Sequence, residues 1–154
     1  MGEEGPTALV TYIRTDSVRV AMEAVGAARD FIRAQWGESL VPDKPQFYRI
    51  KASAQDAHEA IRPTDVRRTP EQVRPYLRAE QLALYELVWQ RFVASQMADA
   101  VVEITTVGIQ ARDYGFRAGA TKTVFPGHWL VHPPAKSEEE KARLNKNLML
   151  FYTG

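Results

Sequence analysis

The chain has no cysteine, which excludes disulfide staples and thiolate metal sites and suits a reducing compartment. It has no apolar run near the roughly 18 residues that a membrane-crossing helix needs. The opening Met1-Gly2-Glu3-Glu4-Gly5-Pro6 is acidic and lacks the apolar centre of a secretory signal. An excess of one charge is also missing: 20 Lys and Arg stand against 19 Asp and Glu, so net charge alone does not argue for a nucleic-acid partner. Histidine is scarce, and His58, His128 and His132 are not spaced as a metal site. Neither an Asp-x-Asp cluster, an internal repeat nor a low-complexity tract is present.

What remains is ordinary globular composition. With 154 residues, 45% of them hydrophobic and 25% charged, the chain suits one domain, or one domain plus part of another. Charge is unevenly spread. Between Arg49 and Arg78 seven Lys and Arg face four Asp and Glu, and arginine dominates. Arginine suits phosphate because its planar fork donates two parallel hydrogen bonds. The same patch would also serve as a solvated mixed-charge surface.

Periodicity divides the chain near residue 99. Residues 1–8 read as a leader, and Ala8-Leu9-Val10-Thr11-Tyr12-Ile13 as a short strand. Asp16 or Ser17 then caps a helix over 17–36, whose apolar positions recur in steps of three and four until Gly37. That placement would aim a helix N-terminus, with its partial positive charge, toward Arg14 to Ser17. Pro42 and Pro45 mark a loop, Phe47 to Ile50 a brief extended stretch, and Gln55 to Ile61 a short helix ended by Pro63. Thr69-Pro70-Glu71-Gln72 carries capping-box chemistry for a helix over 70–77, and Leu82 to Met97 marks a long helix over 79–98. Beyond it, Val101 to Ile109 is β-branched, with turn chemistry at Asp113-Tyr114-Gly115 and a second strand to Phe125. The tail from Ser137 reads as a polar or helical end.

One cluster of residue types carries chemistry. In Thr11-Tyr12-Ile13-Arg14-Thr15-Asp16-Ser17 an extended backbone puts Tyr12 and Arg14 on one face, so a phenol and a permanent cation can meet one phosphate. Such a cation favours a phenolate and offsets charge on phosphate oxygens. A strand-end tyrosine also commonly serves as a half-buried packing residue, and Arg14 as one half of a surface salt bridge to Asp16 or Glu59. Trp36, Trp89, Phe31 and Phe92 could stack on unpaired bases, but their helical spacing favours the core.

The Tyr12 segment resembles the active-site tyrosine motif of type IA DNA topoisomerases. Ala54-Gln55-Asp56-Ala57-His58-Glu59-Ala60-Ile61-Arg62-Pro63 resembles a second signature of that family. Glu80-Gln81, Leu84-Tyr85, Arg91-Phe92 and Ala94-Ser95-Gln96-Met97-Ala98 form a third, in the same order. The likeness covers Leu9 to Ala98 and weakens to Gly127, with Gly119 one position early and His128 where an aromatic is usual. From Trp129 to Gly154 nothing is recognisable.

The resemblance implies an α+β fold: a mainly helical tyrosine-bearing domain over 1–99, then a β-hairpin segment of an adjoining arch domain over 100–154. It implies Tyr12 as nucleophile, Arg14 as a contact to the scissile phosphate, and His58, Arg62 and Thr15 as further DNA contacts. His58 and Arg62 would share one helical face if the turn persists. Single-stranded DNA is the implied substrate, in the cytoplasm at the nucleoid, with no membrane partner. Magnesium would be held by an acidic metal-binding (toprim) domain absent from this chain, so none is expected here. The chain then reads as an excised central piece, inactive alone, of a topoisomerase I, a topoisomerase III or a reverse gyrase. A non-catalytic module with helix-turn-helix-like packing of helices around 56–77 is the alternative.

Overall fold

The computed structural model describes residues 7–48 and 58–134. The leader's first six residues, Arg49-Ile50, most of the segment before His58 and the tail from Ser137 lie outside them. The described elements are α1 (Met22–Trp36), α2 (Pro70–Val73), α3 (Ala79–Ser95) and an antiparallel hairpin of β1 (Val101–Ala111) and β2 (Tyr114–Phe125), with 3-10 turns at Glu38–Leu40, Arg74–Tyr76 and Gly127–Leu130. No helix among the described residues is long and apolar enough to cross a membrane.

The helices pack through the stripes visible in the sequence. Ala28 and Ile32 of α1 meet Tyr85, Trp89, Phe92 and Val93 of α3, with Leu40, Val66, Val73 and Met97 closing the core. Phe31 stands edge-on to both Trp36 and Trp89, at 5.9 and 5.8 Å between ring centres. These rings are scaffold, as their spacing indicates. Two polar tips pin the strap between α1 and α2: Trp89 Nε1 donates to the Val66 carbonyl at 2.8 Å and the Tyr85 hydroxyl to the Arg68 carbonyl at 2.6 Å. Buried aromatic N–H and O–H groups need such acceptors.

Helix boundaries differ from the sequence expectation, each for a local reason. α1 begins at Met22 rather than residue 17, because the backbone before it is engaged elsewhere: the Arg19 carbonyl accepts from Ala60 N–H at 2.7 Å. It ends at Gly37, whose φ of 96° lies in the left-handed region that glycine tolerates. The Gln72 side chain reaches back to Thr69 N–H at 3.2 Å, the expected box, but only Pro70–Val73 is α-helical. Pro75 has no N–H to continue the ladder, so Arg74–Tyr76 tightens to 3-10 geometry. α3 stops at Ser95, whose hydroxyl turns back to the Phe92 carbonyl at 2.7 Å.

Two expectations fail on the segment before α2. His58 to Ile61 is not helical; it runs extended between two other stretches, so the shared helical face of His58 and Arg62 does not exist. Among the described residues of 56–77 only Pro70–Val73 is α-helical, so nothing here favours helix-turn-helix-like packing. The strand expected over Ala8 to Ile13 is reduced to a single bridge, Val10 to Pro63.

The hairpin forms as expected, but its turn is tighter. Ala111 pairs with Tyr114, and Arg112 occupies the turn at φ 54°, while Gly115 already lies in β2 opposite Gln110. Beyond β2 the chain returns to the helical body. His128 N–H donates to the Ala98 carbonyl at 2.9 Å, and Val131 joins the core at 8% exposure. Nothing in the sequence after Gly127 signalled that return.

Candidate active site

Tyr12 to Asp16 form an exposed arch standing on two feet. One foot is Leu9 to Thr11, where Thr11 N–H donates to the Arg62 carbonyl at 2.9 Å and Thr64 N–H to the Leu9 carbonyl at 3.0 Å. Thr11 is the register pin. Its hydroxyl donates to the Ala60 carbonyl at 2.8 Å and accepts from Arg62 N–H at 3.0 Å. The other foot is Ser17 to Ala21. Here the buried Ser17 hydroxyl donates to the His58 carbonyl at 2.7 Å and accepts from Arg19 N–H at 3.2 Å. Both feet thus rest on the same segment, 58–64.

The arch and that segment enclose an open pocket of about 270 Å³ lined by Thr11, Tyr12, Arg14, His58 and Glu59. Tyr12 is 80% exposed, so it is not a packing residue. The Arg14 guanidinium donates to His58 Nε2 at 3.3 Å and, through Nε, to Asp16 Oδ2 at 2.6 Å. A guanidinium can only donate, so Nε2 accepts and the ring proton sits on Nδ1. That Nδ1 is buried and has no hydrogen-bond partner among the described residues. The arrangement offers an anion one permanent cation, one imidazole and an accessible phenol.

The remaining residues take other places. Thr15 is exposed on the arch. Asp16 holds Arg14 and caps no helix, because α1 starts at Met22. The entrance to α1 is served instead by Glu59, whose Oε1 accepts from Ala21 N–H at 2.8 Å. A carboxylate there suits the helix dipole, so the expected free helix N-terminus for a bound anion near Arg14 is replaced by a protein anion. Arg62 lines a separate cavity with Val66 and Phe92 and donates to Glu59 Oε2 at 2.8 Å and to the Pro63 carbonyl at 3.1 Å. Sequence reasoning gave Glu59 and Ser17 no site role; the only signal was their position beside His58 and Arg14 within the two signatures.

Among the described residues no three His, Asp or Glu groups gather as a metal ligand set. Hydrogen bonding to Arg67 lowers the Asp65 carboxyl, and burial raises the Tyr85 and Tyr48 hydroxyls.

Comparison with known proteins gives the family. The DNA topoisomerase family model matches residues 4–152. DNA topoisomerase 1 of Xylella fastidiosa is 46% identical over 141 residues, covering 90% of this chain and 17% of that protein. The Treponema pallidum DNA topoisomerase 1 is 46% identical over 123 residues, covering 80% of this chain and 17% of its own length. The solved structure of full-length topoisomerase I from Thermotoga maritima superposes with a TM-score of 0.73 at 38% identity, over 87% of this chain and 21% of that one. The chain therefore spans only about a fifth or less of the relatives it matches. With a match along nearly its whole length and a shared fold, the chain belongs to the bacterial type IA DNA topoisomerase family.

Proposed function

We propose that this chain carries the nucleophile of a type IA topoisomerase: Tyr12 cleaves and rejoins one strand of DNA. The observation that carries the reading is the exposed Tyr12 ring sharing a pocket with Arg14 and His58. The phenolic oxygen attacks a backbone phosphorus, the bond from phosphorus to the 3′ oxygen breaks, and the phenolic proton is lost as the 3′ oxygen gains one. The product is a 5′-phosphotyrosine ester and a free 3′ hydroxyl. One phosphoester replaces another, so rejoining needs no nucleotide triphosphate, and the intact protein relaxes negative supercoils between the two steps.

Arg14 supplies the fixed positive charge that the phosphate oxygens need as the new bond forms. His58, whose Nε2 meets the guanidinium, orients Arg14 toward the same phosphate. Thr15, on the exposed arch, is in reach of the neighbouring backbone phosphates. Arg62 enters as the partner of Glu59. Magnesium would be held by the acidic toprim domain of the intact enzyme and would supply further charge neutralisation at the phosphate. The helical body is the tyrosine-bearing unit, to which the segment around Val131 packs back, and the hairpin between them is the start of the adjoining arch. Chromosomal DNA in the cytoplasm is the substrate.

The experiment is Tyr12→Phe in a full-length topoisomerase I carrying this chain in place of its own matching segment. Single-strand DNA binding should persist and the covalent adduct should vanish. A retained adduct would remove Tyr12 from the chemistry.

A further inference from the structure

The arch that presents Tyr12 and Arg14 is exposed from Tyr12 to Asp16, and Arg14 ties it to His58. Its position depends on the 58–64 segment beneath both feet, where Ala60 and Arg62 are bonded through their backbones and Glu59 through its side chain. Glu59 commits both carboxylate oxygens: Oε1 to Ala21 N–H at the start of α1, and Oε2 to Arg62 Nη2, each at 2.8 Å. The Arg62 side chain is only 13% exposed and that of Glu59 30%, so water competes weakly for this pair. Glu59 is also the immediate neighbour of His58, whose carbonyl is clasped by Ser17 and whose ring meets Arg14.

We propose that Glu59 is a positioning residue, which holds His58 against Arg14 by locking the 58–62 segment to α1 and to Arg62. The inference rests on the reading of Tyr12 and Arg14 as the cleavage site. Releasing Oε2 from Arg62 loosens the segment one residue from the imidazole. Oriented groups lose effect steeply with small displacements, on the order of 10²-fold for about 1 Å.

The test uses the same full-length chimera with Glu59→Gln. The amide keeps the shape and can still accept from Ala21 N–H, but it loses the charge that holds Arg62. Oligonucleotide cleavage should slow about ten- to a hundredfold, with oligonucleotide affinity little changed. Combined with His58→Ala, the loss should not exceed that of His58→Ala alone, because both changes remove one interaction. Glu59→Asp, with the charge retained on a shorter arm, should recover part of the rate. Ser17→Ala, which frees the His58 carbonyl, gives a second reading if Glu59→Gln does not fold, and it too should slow cleavage. Parental cleavage rates in Glu59→Gln, or losses that multiply with His58→Ala, would overturn the proposal. If Tyr12→Phe is inactive while Glu59→Gln cleaves normally, only the positioning role falls. If Tyr12→Phe still forms the adduct, the site itself falls.

Discussion

Arg14 and His58 stand 44 residues apart in the chain and 3.3 Å apart in the fold. Neither helix nor sheet regularity brings them together. The contact is made by an exposed arch and an extended segment held in register by the hydroxyls of Thr11 and Ser17. Side chains on such irregular backbone are placed by hydrogen bonds, and their function is sensitive to each one.

Arg14→Ala should reduce single-strand cleavage by about 10²–10³-fold, the cost of removing one fixed donor from a developing oxyanion. Arg14→Lys should recover little of it. An ammonium has no planar fork to serve Asp16, His58 and a phosphate together. Single-turnover cleavage of an oligonucleotide measures both, and an Arg14→Ala variant cleaving at the parental rate would take the residue out of the mechanism.

Trp89→Ala should destabilise the fold by about 3–5 kcal/mol, as for other large-to-small changes in a packed core. It also leaves the Val66 carbonyl without its donor. Melting followed by circular dichroism reads the loss. Affinity for single-stranded DNA, measured where the variant is folded, should stay unchanged, because the ring is buried against Phe31 rather than available to bases.

Gly127→Ala should cost about 1–3 kcal/mol. The residue has φ of 49°, and a Cβ there would lie 2.5 Å from backbone atoms of Ala98 and Asp99. The return of the chain from β2 to the core passes through that contact, so the variant should lose the anchoring of Val131 before it loses the helices. Amide hydrogen exchange across His128 to Val131 would show it.

Tyr85 sets an alkaline limit on stability. Burial pushes its hydroxyl up to about 12, against ~10 for an unfolded tyrosine. The fold therefore favours the neutral phenol. The stabilisation is complete below pH ~10 and is lost as pH rises toward about 12. Tyr85→Phe should cost about 1–3 kcal/mol at neutral pH by stranding the Arg68 carbonyl, and should flatten the alkaline decline. Urea melts at stepped pH, followed by tryptophan fluorescence, distinguish the two proteins.

The division between what was legible in the sequence and what was not follows the range of the interactions. The apolar steps of α1 and α3, the stop at Gly37, the box at Thr69 and Gln72, and the β-branched hairpin all depend on neighbours a few residues away, and each was readable from the chain alone. Tyr12 and Arg14, two positions apart in the sequence, line one pocket. The helix expected at His58 and the early start expected for α1 failed together, for one reason. Backbone groups of 17–21 and 58–64 bond to each other and to the strand foot at Thr11 instead of closing helical turns. Only the tertiary structure could decide that exchange, since it sets local propensity against partners some forty residues distant. It alone turned Glu59 from a surface charge into the tie between Ala21 and Arg62, and brought Val131 back to the core across the hairpin.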